Sequence, residues 1–306
     1  MATAAAKLQT ILSPQREHRS VPPPAIAGAA TVPVITSPLP GSEERVVSAL
    51  SSDSLTNVIM AGFIRDNGFG NPLNRGQFYT CRDENNRVEG VALIGHTILF
   101  EAFTDRATQA FAALARRESS PHLLMGKHNA VECFWSYYAS KDESPRLVCP
   151  IDFLQRRKPF ADKVAVPNLR PATREDLEQV VQAQAAMALE ISGVDPLKRD
   201  PAGFRARYLR RIEKKRVWVL IENGRLIFKS DVIADTPRAS YIEGIYVRPD
   251  ERGRGLGRRC VTALGNILLE RTNAIYLFVE NQNTRTKAFY LNLGFTVAGQ
   301  YDLLYF

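Results

Sequence analysis

The stretch VRPDERGRGLGRR, residues 247–259, decides how the C-terminal half of this chain is interpreted. It holds five arginines and three glycines in thirteen residues. Arginine supplies positive charge, and glycine allows either disorder or unusual backbone angles. The composition is therefore compatible with a flexible basic arm on nucleic acid or with a rigid loop around one phosphate group, and the flanking residues must distinguish the two.

The flanks indicate a strand before this loop and a helix after it. SYIEGIYV, residues 240–247, is rich in β-branched and aromatic residues. Apolar residues recur at helical spacing after the loop, at Leu256, Cys260, Leu264, Ile267 and Leu268. A strand that turns through glycines into a helix leaves backbone N–H groups at the positive end of the helix dipole. We therefore predict a rigid anion-binding loop, with Arg252, Arg254 and Arg258 converging on the anion as charged donors.

Two common phosphate-binding loops do not fit this stretch. The dinucleotide fingerprint requires a third glycine where Cys260 stands, and the Walker pattern requires Gly-Lys-Ser/Thr, which is absent. The pattern that remains is Arg252-x-x-Gly255-x-Gly257.

This pattern resembles the signature of the GNAT acetyltransferase superfamily, (Gln/Arg)-x-x-Gly-x-(Gly/Ala) after a strand. NTRTKAFYLNLGF, residues 283–295, is similar to the second motif of that family, which has an Asn, a short helix, a Tyr and a final Gly-Phe. LRPATREDLEQV, residues 169–180, resembles its first strand and helix, and Thr173 and Asp176 form a capping box there. The resemblance covers about residues 166–306 and implies a GNAT fold for them.

The resemblance also implies acetyl-CoA as co-substrate. Its pyrophosphate would bind the loop amides, and its pantetheine arm would lie along the preceding strand, between two parallel strands that splay apart. The residues that the resemblance assigns to acetyl-CoA are Ile245, Tyr246 and Val247 on the strand, Arg252, Gly253, Arg254, Gly255, Leu256, Gly257 and Arg258 in the loop, and Asn283 beyond the next strand.

Acetyl transfer to an amine requires a base that removes the amine proton and a donor for the departing thiolate. Glu243, four residues before Val247, is the first candidate base, and Glu280 after the next strand is the second. Tyr290 occupies the position of the proton-donating tyrosine of the family. Packing of Tyr290 in the core and an ordinary exposed position for Glu243 are the alternatives. No well-placed nucleophilic Cys or Ser suggests an acetyl-enzyme, so a direct ternary-complex mechanism is expected.

A length of 306 residues predicts two domains. Residues 1–43 are rich in Ala, Pro and Ser and predict a disordered tail, with an organelle transit peptide as the minor alternative. The charged, proline-containing stretch 154–168 predicts a boundary between an N-terminal α+β domain at 44–160 and the GNAT domain at 166–306. The fold class expected for the chain is therefore α/β with a mixed sheet.

The N-terminal domain looks like a half-copy of the GNAT fold. Its predicted order is hairpin, strand, helix, strand and helix, but FTDRAT, residues 103–108, stands where the glycine loop would be. A degenerate copy that binds no cofactor, and that shapes the acceptor site or the domain interface, is one hypothesis. An unrelated α+β module is the other.

The composition narrows the class of function. The net charge of +8 favours anionic ligands without choosing among them. No apolar run approaches the ~20 residues of a membrane helix, so we expect no membrane contact. Four cysteines and four histidines show no metal-ligand spacing, so no metal is expected. Residues 198–216 carry nine basic and two acidic residues, which favours a solvated helix face over a surface for an acidic substrate or nucleic acid.

The sequence therefore predicts a cytoplasmic, acetyl-CoA-dependent N-acetyltransferase that acts on a primary amine of unknown identity. The alternatives are a CoA-binding sensor without turnover and a basic protein associated with nucleic acid, which is the less favoured partner. A homodimer is left open.

Overall fold

The computed structural model of the protein describes residues 34–50, 54–161 and 165–306. These residues form two compact units. The N-terminal unit contains the described residues up to Asp152 together with Gly299–Phe306, and the C-terminal unit contains Phe153–Ala298. The division thus differs from the expected ranges at the C-terminus, where the last eight residues belong to the N-terminal unit.

In chain order, the helices and strands that begin in the N-terminal unit are β1 (Val34–Thr36), α1 (Glu43–Ala49), α2 (Leu55–Asn67), β2 (Gly76–Arg82), β3 (Val88–Gly95), β4 (Thr97–Ala102), α3 (Asp105–Glu118), β5 (Leu123–Lys127), α4 (His128–Tyr138) and β6 (Leu147–Arg156). Neighbouring strands from β1 to β4 are antiparallel, and β4 and β5 are parallel. The core of this unit contains Phe100, Phe111 and Phe134.

Two segments of this region differ from the expectations. Strand β1 lies within the predicted disordered tail and pairs with β2, because Val34–Thr36 continue the sheet edge in register with Thr80, Cys81 and Arg82. The remainder of the predicted tail, residues 1–33, lies outside the described residues. Strand β6 extends into the stretch expected to be a linker, and its Arg156 Nη1 donates to the carbonyl oxygens of Leu293 (3.0 Å) and Gly294 (2.9 Å).

In chain order, the helices and strands that follow are β7 (Leu169–Pro171), α5 (Leu177–Ser192), α6 (Pro196–Arg199), α7 (Pro201–Glu213), β8 (Val217–Glu222), β9 (Arg225–Asp235), β10 (Ser240–Val247), α8 (Leu256–Leu269), β11 (Ile275–Glu280), α9 (Thr284–Asn292) and β12 (Thr296–Tyr305). Neighbouring strands from β7 to β10 are antiparallel, whereas β10 and β11 are parallel. The expected α/β class with a mixed sheet is confirmed.

Helices cover both faces of the C-terminal sheet. Residues of α8 and α9, including Leu264 and Tyr290, form one core with the strands, and residues of α5 and α7, including Val180 and Tyr208, form another. Strand β9 lies between these two layers and is buried over most of its length, next to β10. In the ranges that the structure describes, no helix combines the length and the apolar character needed to cross a membrane.

Local sequence signals explain where these elements begin. The predicted capping box is present before α5, since Thr173 N donates to Asp176 Oδ2 at 2.7 Å. Asn223 and Gly224 both have positive φ, of 51° and 71°, which is the backbone of the tight hairpin turn predicted between β8 and β9.

Candidate active site

The glycine-arginine loop has the predicted geometry of strand, turn and helix. Gly253 and Gly255 have φ of +82° and +72°, in the left-handed region that favours glycine. A Cβ at either position would meet no atom within 4 Å, so glycine is needed there for backbone conformation and not for space. Gly255 immediately precedes α8, and no side chain caps the helix there. A helix start without a capping side chain can present its backbone amides to an anion.

A cavity of about 320 Å³ lies against this loop and the start of α9. It is lined by Val247, Glu251, Arg252, Gly253, Gly255, Leu256, Gly257, Arg258, Arg285, Thr286, Phe289, Asn292 and Leu293. Seven of these are among the residues predicted to bind acetyl-CoA; Ile245, Tyr246, Arg254 and Asn283 do not line it. The α9 residues were missed, although Arg285, Phe289 and Asn292 recur at the helical spacing that could have revealed them.

The three loop arginines have partners within the protein. Arg252 Nε donates to the carbonyl oxygen of Val247 at 2.9 Å, and Arg254 pairs with Glu251 at 3.0 Å. Arg258 Nη1 lies 3.5 Å from the carbonyl oxygen of Asn292. Arg252 thus closes the loop onto the end of β10. Arg252 and Arg258 both line the cavity, whereas Arg254 does not.

Strands β10 and β11 separate next to this loop. Over the described residues they pair in parallel only at Ser240 with Ile275 and at Tyr241 with Tyr276. Strand β10 continues to Val247, so the backbone of its second half has no partner strand on the β11 side. This is the splay in which the resemblance places the pantetheine arm.

Strand β10 also contains a β-bulge on its other edge. Glu243 is in register with Asp231 of β9, and Tyr246 with Lys229, so Gly244 and Ile245 stand opposite a single residue. Gly244 has φ of +60°. The extra residue changes the direction of β10 immediately after Glu243, the candidate base.

Glu243 lies among polar groups of the α5 and α7 layer. Tyr241 donates its hydroxyl to Oε2 at 3.1 Å, and Arg211 Nη1 is 4.0 Å from Oε1. The side chain is 37% exposed, but protein atoms surround it on most sides. This desolvation raises the pKa of the Glu243 carboxyl, and the nearby Arg211 opposes the shift. An accessible carboxylate with a raised pKa has the properties of a general base.

A group of polar side chains lies beneath Glu243, and we call it the polar cluster: Tyr208, Lys229 and Asp231, which are buried, and Gln184 and Arg211, which are half-buried. Lys229 Nζ is 2.9 Å from Asp231 Oδ2 and 2.7 Å from Gln184 Oε1. The Tyr208 hydroxyl donates to the same Asp231 oxygen at 3.1 Å, and Arg211 is 3.4 Å from it. The sequence analysis did not predict a buried pair of Lys229 and Asp231, because Lys and Asp in a strand usually lie on a solvated face.

Tyr290 is in the apolar core of the C-terminal unit. Only 7% of it is exposed, and its ring packs edge-on against Phe289 and Phe295, with centroids 5.1 and 5.6 Å away. Burial raises the pKa of its phenol, which keeps the hydroxyl protonated at neutral pH. The cavity is lined by the neighbouring Phe289 and not by Tyr290.

The remaining candidates lie where β11 meets α9. Glu280 is the last residue of β11. Asn283 is the N-cap of α9, and its Oδ1 accepts a hydrogen bond from Thr286 N at 3.1 Å. Asn283 therefore positions the helix that lines the cavity. Across residues 34–50, 54–161 and 165–306, no group of three or more His, Cys, Asp or Glu side chains is arranged to hold a metal ion.

The corresponding loop of the N-terminal unit has a different chemistry. Strands β4 and β5 also run parallel and pair from Thr97 to Leu99, but no glycine precedes α3. The Thr104 side chain accepts from Ala107 N at 3.2 Å, and Asp105 lies in the first turn of the helix. A capped helix start with an acidic residue disfavours a phosphate.

Comparisons with known proteins place this geometry in context. Residues 188–295 match the family model described as "Acetyltransferase (GNAT) family". A comparison with curated proteins found no match.

Solved structures of similar fold include a tandem GNAT protein from the clavulanic acid biosynthesis pathway, 17% identical, covering 89% of this chain and 96% of that chain with a TM-score of 0.56. A GCN5-related N-acetyltransferase from Sphaerobacter thermophilus is 13% identical, with coverage of 90% and 96% and a TM-score of 0.55. A GNAT-family acetyltransferase from Colwellia psychrerythraea is 14% identical, with coverage of 89% and 99% and a TM-score of 0.52. At such identities the likeness establishes the fold alone.

Proposed function

We propose that this protein is an acetyl-CoA-dependent N-acetyltransferase that acts on a primary amine in a direct ternary complex, because residues 188–295 match the model of the acetyltransferase (GNAT) family. The observation that carries the proposal is the start of α8. Two glycines with left-handed backbone, a helix without a capping side chain and a cavity of about 320 Å³ occur together there. This combination suits a pyrophosphate.

The residues of the C-terminal unit fit acetyl-CoA in chemistry and in place. The amides of Gly253–Gly257 would hold the pyrophosphate, with the positive end of the α8 dipole behind them. The unpaired edge of β10, Ile245–Val247, would supply backbone hydrogen bonds to the pantetheine arm. Asn283 would contribute through the placement of α9. When bound, acetyl-CoA supplies the acetyl thioester.

The protein's own groups would move the two protons of the reaction. A primary amine is an ammonium ion at neutral pH and must lose a proton before it attacks a carbonyl carbon. Glu243 would accept that proton on its accessible carboxylate. As the C–S bond of the thioester breaks, the departing thiolate gains a proton and the nitrogen loses its second one; Tyr290 would donate the first from its phenol and recover a proton as the nitrogen releases its own.

The face that carries Glu243 favours a cationic acceptor. Tyr241 and Tyr276 are in register on β10 and β11, and side chains alternate along a strand, so Glu243 and Glu280 share the face of α5 and α7. Tyr241 stacks on Phe278 of the same face, with centroids 6.1 Å apart. Two carboxylates beside aromatic rings suit an ammonium group.

The N-terminal unit is proposed to be a degenerate, cofactor-free GNAT copy. Its β4 and β5 repeat the parallel pair of β10 and β11, and the likeness to a tandem GNAT protein covers 89% of the chain. Thr104 and Asp105 occupy the helix start where the C-terminal unit has its glycine loop.

The proposed function is tested by thermal unfolding and by release of free thiol from acetyl-CoA. At a hundredfold excess over Kd, acetyl-CoA should stabilise the protein by about 2.7 kcal/mol. Thiol release should require a primary amine from a panel of amino acids, polyamines and aminoglycosides. A thermal shift with no release for any amine would instead support a CoA-binding sensor. The absence of a shift at millimolar acetyl-CoA would exclude the proposed site.

Tyr290→Phe is expected to lower kcat by about a hundredfold if its phenol is the proton donor, with the ring packing against Phe289 and Phe295 retained. The measurement is steady-state thiol release with a saturating amine. Tyr276→Phe is the matched control, since it removes a fully buried tyrosine hydroxyl from the same unit. An unchanged kcat for Tyr290→Phe would assign Tyr290 to core packing only.

A further inference from the structure

The C-terminal unit contains a fully buried lysine that the proposed mechanism does not use. Lys229 is 0% exposed on β9. Its Nζ contacts Asp231 Oδ2 at 2.9 Å, Gln184 Oε1 at 2.7 Å and the carbonyl oxygen of Gly244 at 3.2 Å. These three acceptors match the three hydrogens of an ammonium group. Burial lowers the pKa of Lys229, and the adjacent Asp231 opposes that shift.

One of the three partners is the backbone of the β-bulge. Gly244 has φ of +60°, and a Cβ built on it would lie 2.9 Å from Lys229 Nζ and 3.1 Å from Asp231 Oδ2. The ammonium and the carboxylate therefore occupy the space that the missing side chain leaves. Gly244 meets two requirements at once, a left-handed backbone and close approach to the buried ion pair.

The bulge separates the two functional parts of β10. Before it stands Glu243, the proposed base, and after it come Ile245–Val247, the proposed backbone contacts to the pantetheine arm. A buried ion pair contributes little to stability compared with apolar residues of the same volume. The contact from Lys229 to Gly244 does fix where the bulge lies, and positions at a reacting centre matter to within ~1 Å.

We propose that Lys229 is a positioning residue for acetyl transfer: its buried ammonium holds the bulge at Gly244 and so sets the relative placement of the Glu243 carboxylate and the β10 edge. The proposal rests on the proposed function. Lys229 itself touches neither substrate, because it is fully buried.

The test uses the double variant Lys229→Met/Asp231→Leu in the full chain. It removes one charge of each sign, and Arg211, which loses Asp231, keeps Glu243 as an acidic neighbour at 4.0 Å, so the fold is expected to persist. We expect kcat to fall between about tenfold and a hundredfold. KM for acetyl-CoA should change less than about threefold, because the loop amides that bind the pyrophosphate are untouched.

A second readout does not depend on turnover. Amide hydrogen exchange of a peptide covering residues 240–247 should become about tenfold faster in the ligand-free double variant, because the bulge has lost its anchor. The control is Arg205→Gln/Glu178→Gln, which removes an ion pair between α7 and α5 at 2.9 Å, away from the bulge. The control should match the wild type in kcat and in exchange.

If the double variant does not fold, Gly244→Ala tests the contact between Lys229 and the bulge by changing the bulge residue instead of the lysine. Its new Cβ would displace Lys229 Nζ, so kcat should fall in the same way while KM is kept. Wild-type kcat and exchange in a folded double variant, or wild-type kcat in Gly244→Ala, would overturn the positioning role alone. If the wild type releases no thiol with any amine, the proposed function and this inference fall together.

Discussion

Gly255→Val is expected to abolish detectable acetyl-CoA binding, with a rise in Kd of at least about a hundredfold, or about 2.7 kcal/mol. Gly255 has φ of +72° at the start of α8, and a β-branched residue disfavours that conformation by about 1–2 kcal/mol. Relief of the strain would rotate the peptide units next to the first turn of the helix. The amides proposed to hold the pyrophosphate would then no longer point at one place.

The measurement is the thermal shift produced by acetyl-CoA, and Gly224→Val is the matched control. Gly224 has nearly the same φ, +71°, and a Cβ at either glycine would meet no atom within 4 Å. Both substitutions should therefore lower Tm of the free protein similarly. Only Gly255→Val should remove the shift. Retention of the full shift in Gly255→Val would refute the loop as the pyrophosphate site.

Glu243→Gln is expected to lower kcat by about 10²–10⁴, the range that general bases contribute. Gln keeps the shape of the side chain and an oxygen that accepts from Tyr241, but it cannot take a proton. Desolvation raises the pKa of Glu243 above its ordinary 4.5, and a base works in its deprotonated form. The wild-type kcat/KM should therefore rise with pH through a pKa above 4.5, and this acid limb should be missing in Glu243→Gln.

Two controls make the result specific to Glu243. Glu280→Gln changes the other carboxylate on the same face. If the acid limb is lost in Glu280→Gln and kept in Glu243→Gln, Glu280 is the base.

The second control is the thermal stability of Glu243→Gln. A carboxyl whose pKa is raised on folding favours the folded state at low pH and loses that contribution as pH rises through the folded pKa. Glu243→Gln should therefore not lower Tm at pH 7.

Much of the fold followed from signals within a few residues of one another. The loop at 253–255, the capping box at Thr173 and the Asn223-Gly224 turn each depend on local backbone preferences, and each is present as expected. Strand β1 and the linker end of β6 were misinterpreted. Both are held by partners far along the chain, Thr80–Arg82 for β1 and Leu293–Gly294 for Arg156.

The candidate site likewise has features that neighbouring residues predict and features that depend on residues far along the chain. The glycines and the helix start could be predicted because φ and the capping of a helix are properties of neighbouring residues. The partner of Arg258 could not, because Asn292 lies far along the chain and reaches it only through tertiary packing. Tyr290 was located by its motif, but its burial depends on Phe289 and Phe295 packing around it.

By itself, the sequence determined the fold class, the glycine turn between β10 and α8, and the position of the candidate base Glu243 on the strand before that turn. Only the tertiary structure decided that Lys229 and Asp231 lie fully buried beneath a bulge in that strand. Lys229 and Asp231 are two residues apart in β9, so both side chains lie on the same face of the sheet. This spacing does not predict that α5 and α7 cover that face. Burial of a charged pair is decided by the elements that pack over it, and these are far away in the chain: α7 ends at Glu213, 16 residues before Lys229, and α5 ends at Ser192.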